Sequence, residues 1–123
     1  MPKAVLWQRV EGLVVFISGL ALVGHDNTAL STWLALVLFF APDLSFLAYL
    51  LGPKPGAFVY NAVHVYAFGT ALLAIGLIAP QPLLAQLGAL WLPHSGFDRM
   101  FGYGLKSPED FSITHLGRIG NRT

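Results

Sequence analysis

The sequence predicts an all-α integral membrane protein: a bundle of four transmembrane helices that run up, down, up and down. Two observations carry this prediction. The chain is too apolar for water, and its apolar residues fall into four blocks separated by short loops. Of 123 residues, 55% are hydrophobic and only 11% are charged, which is too little charge to cover a soluble domain of this size. The length is that of a single domain.

Each block has the length of one membrane crossing. A transmembrane helix needs roughly 20 residues at a rise of 1.5 Å per residue. The predicted spans cover residues 4–24, 31–51, 57–78 and 83–103. Their connectors, HDNTAL, GPKPG and APQP, are short and rich in residues that stop helices, so neighbouring spans must run antiparallel. Residues 1–106 therefore form the membrane domain, and residues 107–123 form a short cytoplasmic tail.

The positions of the basic residues predict how the bundle is oriented across the membrane. With four spans, both termini and the 52–56 loop lie on one side of the membrane, and the 25–30 and 79–82 loops lie on the other. All seven basic residues belong to the first side or to its helix ends, namely Lys3, Arg9, Lys54, Arg99, Lys106, Arg118 and Arg122. The opposite loops contain none, so the positive-inside rule places both termini in the cytoplasm.

Three features exclude other classes of protein. The net charge is only +1, which provides no basic field for nucleic acid. The absence of cysteine excludes disulfides, cysteine-based zinc sites and thiol catalysis. The N-terminal segment MPKAVLWQRVEG has no small-residue cleavage site after a short apolar core, so we expect no removable signal peptide.

Polar residues interrupt every predicted span, although such residues are costly in a bilayer. Counted from the cytoplasmic end they lie about 4 to 9 residues deep, which is roughly 6–14 Å at the helical rise. They are Glu11 in span one, Asp43 in span two, Asn61 and His64 in span three, and His94 and Asp98 in span four. Because separate helices place polar groups at one depth, we expect these side chains to meet in a buried site.

The spacing within spans three and four supports this convergence. His94 and Asp98 are four residues apart and share one helix face, where the carboxylate can accept a hydrogen bond from the imidazole. Asn61 and His64 are three residues apart and share a face as well. Tyr60 lies four residues before His64, which adds a phenol to the same face.

Two prolines stand directly before polar residues of this layer. Pro42 precedes Asp43 and Pro93 precedes His94. Proline removes a backbone donor and frees a carbonyl one turn earlier, which bends the helix and can open a pocket. Arg99 points about 100° away from Asp98, and we expect it either to reach the headgroups or to pair with Glu11.

The leading functional hypothesis is a metal site with hydrolytic chemistry. His64, His94 and Asp98 are the predicted ligands, and Asp43 or Glu11 is the predicted base. A set of nitrogen and oxygen ligands suits zinc, iron or manganese. No span contains the Glu-x-x-His pair that marks carboxylate-bridged di-metal bundles. A metal-bound water would attack an ester or phosphoester that enters from the inner leaflet.

Other interpretations stay open. The polar layer could be structural, with Asn61 as an interhelical hydrogen-bonding residue, in an accessory subunit of a larger membrane complex or in a homo-oligomer packed through small residues. Those small residues are Gly12, Gly19, Gly69, Ala74 and Gly76. A proton or small-solute pathway is less favoured, because the outer halves of the spans offer little beyond Thr70 and Gln86. Haem ligation by the two buried histidines needs more room than four bare spans give.

The tail contributes one further candidate. Residues Phe111, Ile113, Leu116 and Ile119 would let it lie on the membrane or cover the mouth of the bundle. Ser107 and Pro108 predict the start of a short helix. If the tail covers the site, His115 becomes an extra ligand or base; otherwise His115 is a surface residue.

Four segments of the chain carry a family resemblance: RVEGL, FAPDLSFLAYLLGPKPGAFVYNAVH, HSGFDRMFGYGLK and THLGRIG. They resemble a family of small bacterial four-span membrane proteins, the domain of unknown function 4260 family, from about residue 9 to residue 120. The family's recurrent polar positions fall here on Glu11, Asp43, Asn61, His64, His94, Asp98, Arg99, Lys106 and His115. The resemblance implies a multi-pass protein of the bacterial inner membrane, and it names no substrate.

Overall fold

The computed structural model describes residues 2–25, 29–110 and 112–119, and most of these residues are helical. The elements in chain order are α1 (Lys3–His25), α2 (Thr32–Leu38), a 3-10 helix (Ala41–Leu51), α3 (Pro53–His64), α4 (Tyr66–Ile78), α5 (Pro82–Met100), β1 (Ile113–Thr114) and β2 (Gly117–Arg118). The predictions that involve Phe111, Arg122 and residues 26–28 of the 25–30 loop lie outside the described residues.

Two stretches of the described chain could each cross a membrane by length and hydropathy. They are α1 and the segment Thr32–Leu51, which is α2 followed by the 3-10 helix. α3 and α4 meet the same condition together, as one span bent by 48°. The described residues therefore hold two or three candidate spans, and α5, which corresponds to the fourth predicted span, is not one of them.

α5 lies at the centre of the fold, between α1 and α4. Its buried residues are Gln86, Gly88, Ala89, Leu90, Pro93, His94, Ser95, Gly96 and Arg99. Because its neighbours cover it, α5 does not need to be apolar on every face, and it can carry polar groups that lipid would not accept. This explains how the most enclosed helix can hold His94, Asp98 and Arg99.

Small residues allow α1 and α4 to approach α5 closely. A Cβ atom on Gly96 would contact the Gly12 carbonyl and lie 2.7 Å from the Phe16 nitrogen. A Cβ on Gly88 would contact the backbone of Leu73 in α4. Gly12 and Gly88 thus serve contacts within the chain, in the small-residue packing that is common between membrane helices.

The outer surface of the bundle is strongly apolar. Trp7, Trp33, Phe40, Leu50 and Ile78 are all exposed, with 85% of Leu50 and 83% of Ile78 accessible. An apolar exterior of this extent is unusual for a soluble monomer and is typical of a surface that faces lipid or a partner.

The second predicted span is not one continuous α-helix, which corrects that part of the prediction. α2 ends at Leu38, and residues Ala41–Leu51 continue as a 3-10 helix with Pro42 in its first turn. Pro42 has no N–H to donate, and the Asp43 N–H donates to the Phe40 carbonyl at 3.1 Å, in the tighter pattern of a 3-10 turn. Long 3-10 runs are uncommon, so this segment is a local departure that positions Asp43.

The third predicted span is interrupted at Val65. This residue is extended, with φ −75° and ψ 147°, and it separates α3 from α4. Helix α3 also begins earlier than expected, at Pro53. The break leaves the His64 carbonyl without its helical donor, since the Phe68 N–H donates to the Val65 carbonyl instead.

The tail forms a small hairpin, so the predicted helix start at Ser107 and Pro108 is wrong. The strands β1 and β2 pair antiparallel, and Lys106 pairs with Thr114 beside them. The Ser107 N–H donates to the Ile113 carbonyl at 2.8 Å. The Ser107 hydroxyl accepts from the Glu109 N–H at 3.2 Å, which is a local turn rather than a helix cap.

We predict that Gly96→Ala destabilises the protein, whereas the same change at Gly24 does not. The new methyl group at position 96 must push apart the backbones of α1 and α5, which costs about 1–3 kcal/mol. Gly24 has open space around its Cα, so Gly24→Ala is the matched control. Thermal unfolding in detergent, followed by circular dichroism, measures the difference. Equal midpoints for the two variants would contradict the close packing.

Candidate functional site

Four side chains from three elements converge on one point. Asp43 comes from the first turn of the 3-10 helix, His64 from the last residue of α3, and His94 and Asp98 from successive turns of α5. Each offers one ligand atom, and these atoms all lie within 4.8 Å of one another. The predicted polar layer therefore contains a compact group of two imidazoles and two carboxylates, which we call the His2Asp2 cluster.

The distances within the cluster match those of a metal-ligand set. From His94 Nε2, Asp43 Oδ1 is 3.0 Å away and Asp98 Oδ2 is 3.6 Å away. From His64 Nε2, the same two oxygens are 3.4 and 3.7 Å away. Zinc bonds of about 2.0–2.2 Å in a tetrahedron separate neighbouring ligand atoms by roughly 3.4 Å. The four nitrogen–oxygen distances lie close to that separation.

The backbone fixes which nitrogen of each imidazole faces the cluster. His64 Nδ1 lies 2.8 Å from the Tyr60 carbonyl oxygen, and His94 Nδ1 lies 2.8 Å from the Phe39 carbonyl oxygen. A carbonyl can only accept, so both Nδ1 atoms carry protons. His94 Nε2 also lies within hydrogen-bonding distance of Asp43 Oδ1, at 3.0 Å, and donates to it when that ring is protonated. When both rings are neutral, both Nε2 atoms present lone pairs toward the carboxylates. This is the orientation that metal-binding histidines adopt, with the second nitrogen held by a carbonyl.

The helix break at Pro42 explains why the Phe39 carbonyl is free to accept a hydrogen bond from His94. Because Pro42 has no N–H, it cannot donate to the Phe39 carbonyl in the 3-10 pattern. That carbonyl accepts from His94 instead. Pro42 was predicted to open a pocket beside Asp43, and in the structure it also leaves free the Phe39 carbonyl that orients the His94 imidazole.

The cluster is buried on one side and open on the other. His64 is 0% exposed and His94 is 2% exposed, whereas the side chains of Asp98 and Asp43 are 14% and 41% exposed. A cavity of about 220 Å³ reaches both carboxylates; it is lined by Asp43, Phe46, Tyr60, Asp98, Tyr103, Lys106 and Ile119. A small molecule can therefore approach the cluster from the carboxylate side.

Tyr60 holds the His64 ring in place. The two rings are stacked, with centroids 3.8 Å apart and planes 10° apart. The Tyr60 hydroxyl donates to Asp98 Oδ2 at 3.4 Å. The predicted supporting phenol therefore contacts both a histidine and a carboxylate of the cluster.

Arg99 has a structural role that differs from the expected one. It is 3% exposed, and its Nη2 donates to the His64 carbonyl at 2.9 Å while Nη1 donates to the Tyr103 carbonyl at 3.1 Å. A cation at the end of α3 is favourable for the helix dipole. Arg99 thus caps the broken end of α3 behind His64, rather than reaching the headgroups or pairing with Glu11.

Asn61 anchors the segment that follows α5. Its Nδ2 donates to the Lys106 carbonyl at 2.8 Å, and its Oδ1 accepts from the Lys106 N–H at 2.6 Å. This pairing brings Lys106 to the cavity, where its Nζ lies 5.1 Å from the centroid of the Tyr60 ring. Lys106 is only 5% exposed. Burial lowers the pKa of its ammonium group, and the negative charge of Asp98 partly opposes that shift.

Lys106 is the charged cavity residue that was not predicted to belong to the site. Its position after span four indicated a positive-inside signal, and the family resemblance marked it only as a recurrent polar position. The clue was Asn61, whose amide was expected to bridge helices and instead binds backbone close to the cluster. The hydrogen bonds between the Asn61 side chain and the Lys106 backbone join residues that are 45 positions apart. The spacing of polar residues within a helix cannot predict such a contact.

Two residues from the predicted site lie elsewhere. Glu11 is on the exposed face of α1 and contributes no atom to the cluster. His115 is exposed, and its Nδ1 accepts from the Leu105 N–H at 2.9 Å, so it connects the hairpin to the segment after α5. Desolvation lowers the pKa of His115, and the charge of Arg99 lowers it further.

We predict that Asn61→Leu releases the segment around Lys106. The change removes two hydrogen bonds of about 1 kcal/mol each, so amide exchange in residues 101–110 should accelerate roughly 10- to 50-fold. Asn61→Asp is the graded control, because it keeps the acceptor for the Lys106 N–H and loses only the donor. Hydrogen exchange measured by mass spectrometry reports on this segment. Unchanged protection in the Leu variant would show that other contacts hold it.

Comparison with known proteins identifies a family. The chain matches the family model described as Domain of unknown function (DUF4260) over residues 5–119, so it belongs to that family, as its four resembling segments indicated. No curated protein and no solved structure matches the chain. The family description assigns no activity.

Proposed function

We propose that this DUF4260 protein is a multi-pass protein of the bacterial inner membrane that binds one divalent cation in the His2Asp2 cluster. The observation that carries the proposal is the orientation of the two imidazoles. Both Nδ1 atoms donate to backbone carbonyls, which turns both Nε2 atoms toward Asp43 and Asp98. Four acceptor atoms that face one point are stabilised by a cation between them.

Charge balance supports a divalent ion. With neutral imidazoles, the cluster carries the two negative charges of Asp43 and Asp98. Buried charge of one sign is strongly unfavourable, and a divalent cation neutralises it completely.

The types of ligand in the cluster limit which metal ions it is expected to bind. Two imidazoles and two carboxylates without a thiolate suit zinc, iron or manganese. Four protein ligands are typical of a closed structural zinc site. Here, however, the cavity reaches Asp43 and Asp98, so a fifth ligand can approach the cation from the open side.

That open side supports a chemical role. A bound divalent cation supplies Lewis acidity and lowers the pKa of a water ligand. Asp43 offers one carboxylate oxygen to the cluster and lines the cavity with the more exposed carboxylate, so its other oxygen is placed to accept a proton from a molecule there. We assign the role of base to Asp43 and not to Glu11, which does not line this cavity. The reaction class is hydrolysis of a small ester or phosphoester.

The same structure supports a proposal for the arrangement in the membrane. We propose four crossings, with α5 enclosed by its neighbours, and both termini in the cytoplasm. The apolar exterior supports contact with lipid, and the basic residues of the connecting segments support the orientation. The cluster then opens toward the cytoplasmic side, where Lys106 lies.

The test is metal binding by the full chain purified in detergent. Metal content by inductively coupled plasma mass spectrometry and affinity by isothermal titration with zinc and manganese should show about one ion per chain. His94→Ala removes a ligand and should weaken binding by more than 100-fold, beyond the 10- to 100-fold typical of outer-shell changes. His115→Ala is the matched control, because that histidine is exposed and outside the cluster. Binding should also weaken as the pH is lowered, because metal binding requires deprotonated Nε2 atoms and carboxylates.

Equal metal binding by the wild type, His94→Ala and His115→Ala would overturn the assignment, since the ion would then lie elsewhere. Absence of binding in protein prepared without chelator and supplied with metal would also overturn it. Circular dichroism of each variant shows whether the helices are intact, and His94→Gln offers a polar replacement if the alanine variant does not fold.

A further inference from the structure

The cavity beside the His2Asp2 cluster contains the ammonium group of Lys106 as well as the two carboxylates of the cluster. We propose that it binds a phosphate group, held between the cluster's cation and the ammonium group of Lys106. This inference rests on the proposed metal site and adds the class of ligand that the site takes. It is carried by the place of Lys106 in the fold, by the charges that line the cavity and by the cavity's size.

The fold holds Lys106 at the cavity from both sides. The Asn61 amide binds its N–H and its carbonyl, and its backbone pairs with Thr114 of the hairpin. A lysine that served only the positive-inside pattern would need neither burial nor this anchoring. The structure instead buries Lys106 to 5% exposure and lays its ammonium over the Tyr60 ring, on whose plane His64 stacks.

The net charge around the cavity depends on whether a cation is bound in the cluster. The charged residues that line the cavity are Asp43, Asp98 and Lys106. Without a cation their sum is −1, which repels anions. With a divalent cation the sum becomes +1, which attracts them. Anion binding and metal binding should therefore strengthen each other, and linkage requires the effect to be reciprocal.

Phosphate is the anion that best fits a site formed by a divalent cation and the ammonium group of Lys106. Divalent cations commonly bind phosphate oxygens, and lysine commonly binds phosphate as a point charge. The volume of about 220 Å³ is below the range of roughly 300–1,000 Å³ that is typical of sites for larger ligands. Phe46 and Ile119 form apolar walls, which leaves room for a short organic group on a phosphoester.

The experiment uses full-length protein in detergent, loaded with Mn²⁺, and inorganic phosphate as the probe. Paramagnetic broadening of the ³¹P signal measures phosphate close to the metal, and its titration gives the affinity. Lys106→Met should weaken phosphate binding roughly 10- to 100-fold, the effect of losing one charge-assisted hydrogen bond. Lys54→Met is the matched control, because Lys54 is an exposed lysine at the start of α3. Lys106→Arg keeps the charge and should retain most of the binding.

Metal content of the same samples separates the two proposals. If Lys106→Met holds a full complement of Mn²⁺ and loses phosphate broadening, the inference is supported. If Mn²⁺ is bound but broadening is equal in wild type, Lys106→Met and Lys54→Met, the phosphate site is wrong while the metal site stands. If the wild type binds no Mn²⁺, both proposals fail together. Broadening that survives at full strength in Lys106→Met and disappears in Lys54→Met would also overturn the inference.

A second arm distinguishes a lipid headgroup from a soluble phosphate compound. The Mn²⁺-loaded protein is placed in nanodiscs of phosphatidylcholine with or without phosphatidic acid, and inorganic phosphate is titrated as before. Competition by phosphatidic acid supports a phosphate that belongs to a lipid. Equal phosphate affinity in both nanodiscs supports a soluble phosphate compound. Absence of phosphate broadening in both nanodiscs and in detergent, with Mn²⁺ bound, contradicts the inference.

Discussion

The structure depends on one electrostatic constraint: two imidazole nitrogens and two carboxylates face a single buried point. The four nitrogen–oxygen distances among them are 3.0 to 3.7 Å, so positive charge within the group, from a cation or from a protonated imidazole, stabilises the two carboxylates. The elements around the point are arranged to keep this geometry. Asp43 enters from a 3-10 turn, His64 from the last residue of a helix, and the other two side chains from the enclosed helix α5.

Breaks in the helices free backbone carbonyls that position side chains at the cluster. Pro42 leaves the Phe39 carbonyl to His94, and the extended residue Val65 leaves the His64 carbonyl to Arg99. Each break costs helical hydrogen bonds, and each freed carbonyl is satisfied by a side chain at the site. Both breaks are linked to α5 by these hydrogen bonds, one through His94 and the other through Arg99.

Sequence reasoning reached the cluster because helical periodicity constrains it. The four-residue spacing of His94 and Asp98 and the common depth of the polar residues predicted the convergence of both histidines with Asp43. Periodicity cannot predict a break at Val65, where no proline or glycine marks the position. It also cannot reveal that Arg99 turns inward, or that Lys106 reaches the cavity through Asn61, because these depend on contacts between residues far apart in the chain. Glu11 shared the predicted depth, but depth does not specify the face of the helix, and that face of α1 is exposed.

X-ray absorption at the zinc edge of zinc-loaded protein tests the central claim most directly. The account predicts a first shell of nitrogen and oxygen at about 2.0–2.2 Å, with the outer-shell scattering of two imidazoles, and loss of that scattering in the His64→Ala/His94→Ala double variant. A shell without imidazole scattering, or one that the double variant leaves unchanged, would contradict the assignment of the His2Asp2 cluster as the metal site.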